Sequence, residues 1–379
     1  MRPALLAAAL LGATLAVLPA TARGADLVVD GRGWGHGVGL SQYGAYGYAL
    51  RELRDVRFIL GHYYTGSSYG TAPAARMRVR LKRARKLSIS GATVARAANG
   101  RRVRLVKTRV YRFRAFKSNG IEIVNAATGK RRARLIAPVR VSGRSNTTLR
   151  GLAENGLRNG VYRGRMVLSR DGRAILAVNA VLLEDYLAGV VPSEMPASWP
   201  AEALKAQAVV ARSYALRGRR PTEPYDVFAD VRSQVYRGAL SETDATDAAV
   251  RATRARVVTV GGEVAETFFF STSGGRTAGN EEVFGGVPFS YLRSVDDPHD
   301  DLSPYHTWTA RFSARDAKRK LRSVTSGQLR GLRVTSRTPS ERAATVEVRG
   351  SKGDQVVSAA QIRTLLGLRS TWITKFSGM

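Results

Sequence analysis

Between residues 77 and 155 apolar and basic side chains alternate in short runs: Met77-Arg-Val-Arg-Leu, Leu87-Ser-Ile-Ser, Arg101-Arg-Val-Arg-Leu-Val, Tyr111-Arg-Phe-Arg-Ala-Phe and Gly120-Ile-Glu-Ile-Val. A period of two gives each strand one dry and one wet face, and the Asn-Gly and Gly turns between the runs predict a small antiparallel β domain with arginines outward. Strands over 161–169 and 174–178 follow. The period then becomes helical: Leu204, Ala208, Ala211 and Ala215 form one face of a buried helix that starts at Ser198-Trp-Pro200, with a Ser cap and a Pro in the first turn, and runs to Arg217. Further helices are expected over 42–53, up to Tyr64, and over 243–253, 315–321 and 358–366; strands are expected over 308–312, 332–336 and 345–348. The pattern is that of an α+β protein with a long buried helix and an inserted antiparallel β domain.

Composition changes the picture in two ways. Sixty-one Lys and Arg against twenty-nine Asp and Glu leave a formal charge of +32, so the surface is suited to anions, unless the arginine richness reflects coding bias alone. The absence of cysteine rules out disulfides, thiolate zinc sites and a lipobox. Met1-Arg-Pro, an Ala/Leu run to Pro19 and Ala20-Thr-Ala22 have the form of a secretory signal peptide over 1–22. No later segment approaches eighteen apolar residues, so the mature chain is expected to be secreted, extracytoplasmic and free of transmembrane segments. Outside a bacterial membrane the available polyanions are anionic wall polymers, muramyl carboxylates and lipid headgroups; no nucleic-acid partner is expected.

Several stretches carry candidate chemistry. Glu194 sits in Pro192-Ser-Glu-Met-Pro196, where two prolines restrict the backbone and hold one carboxylate still, although a lone surface Glu is the ordinary case. Lys205 and Arg212, seven residues apart, share a helix face that either points into a cleft or is a solvated stripe. Gly31-Arg-Gly-Trp-Gly-His-Gly-Val-Gly-Leu-Ser-Gln-Tyr-Gly-Ala45 is a strand and turn that passes close to another element and presents Trp34, His36 and Gln42. It lacks the Gly-Lys-Ser/Thr of a phosphate loop, which excludes nucleotide binding of that kind. Tyr291-Leu-Arg-Ser-Val-Asp-Asp-Pro-His-Asp-Asp301 gathers four carboxylates and a histidine without EF-hand spacing; a solvated loop at a cleft rim is expected there, with calcium as the alternative.

Glu184-Asp-Tyr-Leu, Val191-Pro-Ser-Glu-Met-Pro, Glu202-Ala-Leu-Lys-Ala-Gln-Ala and Ala211-Arg-Ser-Tyr-Ala resemble the central motif of the SpoIID/LytB family, the stage II sporulation protein D and amidase-enhancer proteins of the cell wall. The resemblance implies a lytic transglycosylase that cleaves peptidoglycan between muramic acid and glucosamine, with Glu194 as catalytic acid and a 1,6-anhydro product. It further implies substrate-binding roles for Lys205, Arg212, Gln234, Tyr291, His36, Ser41 and Gln42, with Gln234 in the family-like Asp230-Val-Arg-Ser-Gln-Val-Tyr-Arg-Gly238. The alternative is a non-catalytic wall-binding protein that stimulates a cell-wall amidase partner. Where some relatives hold a metal with His and Cys, this chain has Phe270, Ser273 and Arg276, so neither metal nor cofactor is expected.

The order of motifs departs from the family. The glycine-rich block and His62-Tyr-Tyr64 normally close the domain, yet here they come first, and Leu366-Gly-Leu-Arg-Ser-Thr-Trp372 comes last. The expected organisation is a circularly permuted domain: signal peptide 1–22, the N-terminal part of the catalytic domain over 23–70, an inserted β domain over 77–155, and the main catalytic part over 160–379. It requires the strand near Trp372–Phe376 to lie beside that near Leu27–Arg32, and the glycine-rich block to share a cleft with Glu194. One conflict is visible in advance: a general acid needs a raised pKa, whereas Lys205 or Arg212 beside Glu194 would lower it.

Overall fold

The computed structural model describes residues 26–378; the expected signal peptide lies outside the described residues. The chain opens with β1 (Leu27–Arg32), β2 (Leu40–Ser41), α1 (Gln42–Arg51), α2 (Val56–Tyr63) and β3 (Ser68–Thr71). Twelve strands follow: β4 (Arg76–Ala84), β5 (Lys86–Ser90), β6 (Val94–Arg96), β7 (Arg102–Arg104), β8 (Tyr111–Phe116), β9 (Gly120–Asn125), β10 (Arg131–Ile136), β11 (Val139–Ser142), β12 (Thr147–Leu152), β13 (Arg158–Tyr162), β14 (Arg165–Asp171) and β15 (Ala174–Leu182). Then come α3 (Leu183–Glu194), α4 (Ala201–Arg217), β16 (Val227–Phe228), α5 (Asp244–Ala252), β17 (Arg256–Val260), β18 (Glu263–Val264), β19 (Phe269–Phe270) and α6 (Asn280–Phe284). The chain ends with β20 (Thr307–Phe312), α7 (Ala314–Leu321), β21 (Leu329–Arg337), β22 (Ala343–Gly350), β23 (Gln355–Ser358), α8 (Ala359–Leu366) and β24 (Ile373–Ser377). This is an α+β fold.

The alternating runs become two facing sheets. One has the order β16-β4-β15-β14-β11-β6-β7 and the other β10-β9-β8-β5-β12-β13. Met77, Val79 and Leu81 of β4 point inward and are fully buried. The expected edge of the β domain, at 155, falls inside this arrangement: β4 pairs along its length with β15, and one core joins Met77 and Phe113 to Tyr186 and Ala211. The expected single strand over 161–169 is instead two strands in different sheets, β13 and β14, because Gly164, with a positive φ of 72°, turns the chain from one sheet into the other. Eight successive residues of β15 are buried, since it is a central strand covered on both faces.

Helix α4 starts later than expected. Pro200, not Ser198, occupies the cap position, and no side chain caps the end; the Pro200 carbonyl takes the first amides, from Ala203 and Leu204. Its buried positions also split between two cores. Ala208, Ala211 and Ala215 face the β sheets, whereas Ala203, Leu204, Val209 and Val210 pack against α1, α2 and Tyr64. A third core, under β20–β24 and α7–α8, contains Leu27 and Val29 of β1. There β1 lies between β20 and β24, pairing Val28 with Ser377 and Val29 with Phe376, so the first and last described strands are neighbours.

Candidate functional site

Glu194 is the last residue of α3, which continues through Pro192 instead of stopping before it. Proline removes an amide, so the helix tolerates it only near an end; Met195 N–H closes the last turn on the Val191 carbonyl at 3.0 Å. The rigidity expected from the two prolines is therefore supplied by a helix terminus. Glu194 Oε1 accepts the Val235 N–H at 3.1 Å, and the Gln42 amide is a second hydrogen-bond partner. Burial pushes its carboxyl above the usual range, and those two hydrogen bonds only partly oppose the shift.

The loop that holds Val235 is itself anchored. Tyr186 Oη donates to Gln234 Oε1 at 3.1 Å, Gln234 Nε2 donates to the Ala211 carbonyl at 3.4 Å, and Tyr236 Oη donates to Asn179 Oδ1 at 2.8 Å. Gln234 is thus buried behind the site and positions the donor to Glu194.

A cavity of about 340 Å³ opens in front of Glu194, lined by His36, Tyr214, Ser233, Val235, Phe268, Phe269 and Phe284 among others. His36 arrives from the glycine-rich block, as the shared cleft requires. Val38 N–H donates to its Nδ1 at 3.1 Å, so Nε2 carries the proton and donates to the Phe269 carbonyl at 3.0 Å. Burial lowers its pKa to about 4, leaving a neutral ring that packs on Phe270 and Phe284. The glycine at 35 permits this approach: its φ is +123° and a Cβ there would stand 2.7 Å from that of Phe270. Tyr214, whose phenol is raised first by burial and then by Glu266 and Glu194, completes the wall.

The remaining expected residues lie elsewhere. Arg212 is wholly buried and forms a two-point ion pair with Glu184 at 2.7 and 3.0 Å; it also donates to the Arg256 carbonyl at 3.0 Å. Lys205 pairs with Glu202 at 2.6 Å. Neither lines the cavity, which removes the conflict over the pKa of Glu194. Gln42 is buried between Glu194 and Gln207, to whose Oε1 it donates at 3.3 Å. Ser41 caps α1 through Gly44 N–H, and Tyr291 is a core residue whose hydroxyl accepts from Glu266 N–H. Tyr214 stood in the Ala211-Arg-Ser-Tyr-Ala motif and Phe268–Phe269 in an apolar triplet, but neither local pattern singles them out.

The 296–301 stretch also departs from expectation. Asp297 and Asp300 are fully buried, not solvated. Tyr63 Oη donates to Asp297 at 2.7 Å, while Asp300 accepts from Gly274 N–H at 2.6 Å and faces His306 Nδ1 at 2.8 Å. These carboxylates staple the N-terminal helices to the glycine turn after β19. Arg276 pairs with Asp296, and Ser273 is buried with its hydroxyl accepting Gly275 N–H. Among the described residues no three His, Cys, Asp or Glu side chains converge as a metal site would need.

The α+β fold thus sets a helix-terminal glutamate, its pKa raised by burial, facing an aromatic-lined cavity. Residues 171–260 match the family model SpoIID, stage II sporulation protein, so the chain carries a domain of that family. Stage II sporulation protein D of Bacillus amyloliquefaciens is 35% identical over 211 residues, 51% of this chain and 60% of that protein. Its Bacillus subtilis counterpart is 32% identical over the same shares. The amidase enhancer of Bacillus subtilis is 39% identical over 140 residues, 37% of this chain and 18% of that protein. The chain thus spans about three-fifths of the length of the first two relatives. Among the described residues no helix is long and apolar enough to cross a membrane.

Proposed function

We propose that the protein is a secreted, wall-associated lytic transglycosylase that cleaves peptidoglycan glycan strands with Glu194 as its sole acid and base. The observation that carries this reading is the cavity itself: Glu194 is the only carboxylate among its described lining residues, and burial keeps that carboxyl protonated to higher pH. With the Val235 N–H on Oε1 and the Gln42 amide as the other partner, the carboxyl is held in place for proton transfer. It protonates the glycosidic oxygen as the bond to the anomeric carbon breaks, releasing the neighbouring sugar. The resulting carboxylate then takes the proton of the same sugar's 6-hydroxyl, whose oxygen closes on the anomeric carbon. Water is not consumed. Hydrolysis ordinarily uses two carboxylates at a defined separation, for which this cavity offers no second member.

Glu194→Gln retains shape but holds no transferable proton, and should lower strand cleavage about a hundredfold or more while leaving folding intact. Mass spectrometry of digested, peptide-stripped strands should find 1,6-anhydro ends with the natural chain and none with the variant. Strand binding without any cleavage would favour the second reading, supported by the likeness to the amidase enhancer, in which the cleft binds glycan for a partner amidase.

A further inference from the structure

The far edge of the seven-stranded sheet, four strands from β15, carries a feature that the cleft does not use. In the register of β7, β6 and β11, Arg102 lies directly opposite Arg96, and Arg96 directly opposite Arg140. One row along the same face, Arg104 opposes Val94, Val94 opposes Ser142, and Arg165 begins the next strand beside Ser142. The five arginines are exposed, whereas Ala95, Val103 and Val141 between them point into the core. Among the described residues none of the five has a carboxylate within ion-pair distance, although the fold pairs many of its other arginines. Like charges directly opposite across a sheet are destabilising, and strands stand only about 4.8 Å apart. A groove of about 580 Å³ runs through Arg96, Arg102, Arg140 and Arg165. Arg104 continues it into a second groove of about 970 Å³, whose charged lining residues are Arg104, Arg109, Lys130, Arg131 and Arg132.

We propose that this arginine ladder is a docking surface for a linear polyol-phosphate wall polymer, which would hold the protein on the wall while the Glu194 cleft works on the glycan. A regularly charged anionic chain relieves the cross-strand repulsion that the fold otherwise tolerates, and releases counterions from both partners. The lining offers no platform for unstacked bases: its one aromatic residue, Tyr111, is buried, with its hydroxyl accepting Val106 N–H. The choice of a wall polymer over a duplex nucleic acid rests on the wall-directed function proposed above.

The test is binding of the full chain to purified polyglycerol phosphate over a salt series, with duplex DNA as competitor. The triple variant R96Q/R102Q/R140Q should bind at least tenfold more weakly and lower the slope of log affinity against log salt by about two to three, at roughly 0.7–0.9 for each phosphate no longer neutralised. It should melt at or above the natural chain at low salt, because repulsion is removed; the triple Lys variant should keep binding. The proposal is overturned if the Gln variant binds the polymer as the natural chain does, or if duplex DNA displaces the polymer at equal phosphate concentration. Cleavage of polymer-free glycan strands should be equal in natural and triple-variant chains, which separates the two ideas. Polymer binding by the natural chain without strand cleavage would count against the Glu194 mechanism and for the ladder.

Discussion

Glu194 and Asp297 both have pKa values displaced upward, and each makes a pH prediction of definite sign. For Glu194 the acid form is the catalytic one, so strand cleavage should fall as pH rises through its raised pKa; a pH–rate profile flat to alkaline pH would point to another acid. Asp297 is raised from 3.8 to about 6, first by burial and then by Asp300. Between those values the folded state keeps a proton that the unfolded chain has released, so stability is lost as pH climbs through the window, on the order of 3 kcal/mol in all. Asp297→Asn should flatten the dependence of melting temperature on pH between 4 and 7. An unchanged slope would mean that Asp297 does not titrate there. Glu194 itself was legible in the sequence because its motif is local; the fully buried state of Asp297 was not, since acidic spacing alone reads as a wet loop.

At the scale of elements, Arg212 changes role. It stands on α4, grips Glu184 in the first turn of α3, and reaches the Arg256 carbonyl at the start of β17. Removing one partner of a buried pair leaves an uncompensated charge, at a cost of about 3 kcal/mol, the low end of the usual range because Glu184 is partly exposed. Arg212→Met should therefore lower the melting temperature by several degrees, and cleavage per folded molecule should remain. A variant that melts like the natural chain yet fails to bind strands would restore the substrate role implied by the family resemblance. Helical spacing correctly put Lys205 and Arg212 near one side of α4, but spacing does not say whether that side meets a cleft or a carboxylate on the preceding helix. It could not show either that α4 is walled in by two separate cores.

At the scale of the whole molecule the termini matter most. β24 covers one edge of β1, and Trp372 and Ile373 are buried beside it. Deleting 368–379 should destabilise the protein as severely as deleting 27–64, because each removal opens a core containing β1 or its neighbour. Limited proteolysis and thermal melting of the two truncations check this; a stable, active C-terminal truncation would show that β24 is dispensable and would remove the support for a permuted catalytic domain.

The amino-acid sequence by itself determined the α+β class, the alternating strands and the capped helices such as 243–253 and 358–366, and it singled out Glu194 as the candidate acid, because these depend on neighbours within a turn or two. Only the tertiary structure decided which polar groups are paired. It placed Val235 and His36, from loops about 200 residues apart, and Gln42, the first residue of α1, around one carboxylate. It also sent Arg212 and Lys205 to carboxylates of their own, and joined β4 to β15 across the expected domain edge. Hydrophobic periodicity records which face of an element is dry. It carries no information about what lies on the other side of that face, and for buried charges that unseen partner sets both the pKa and the role.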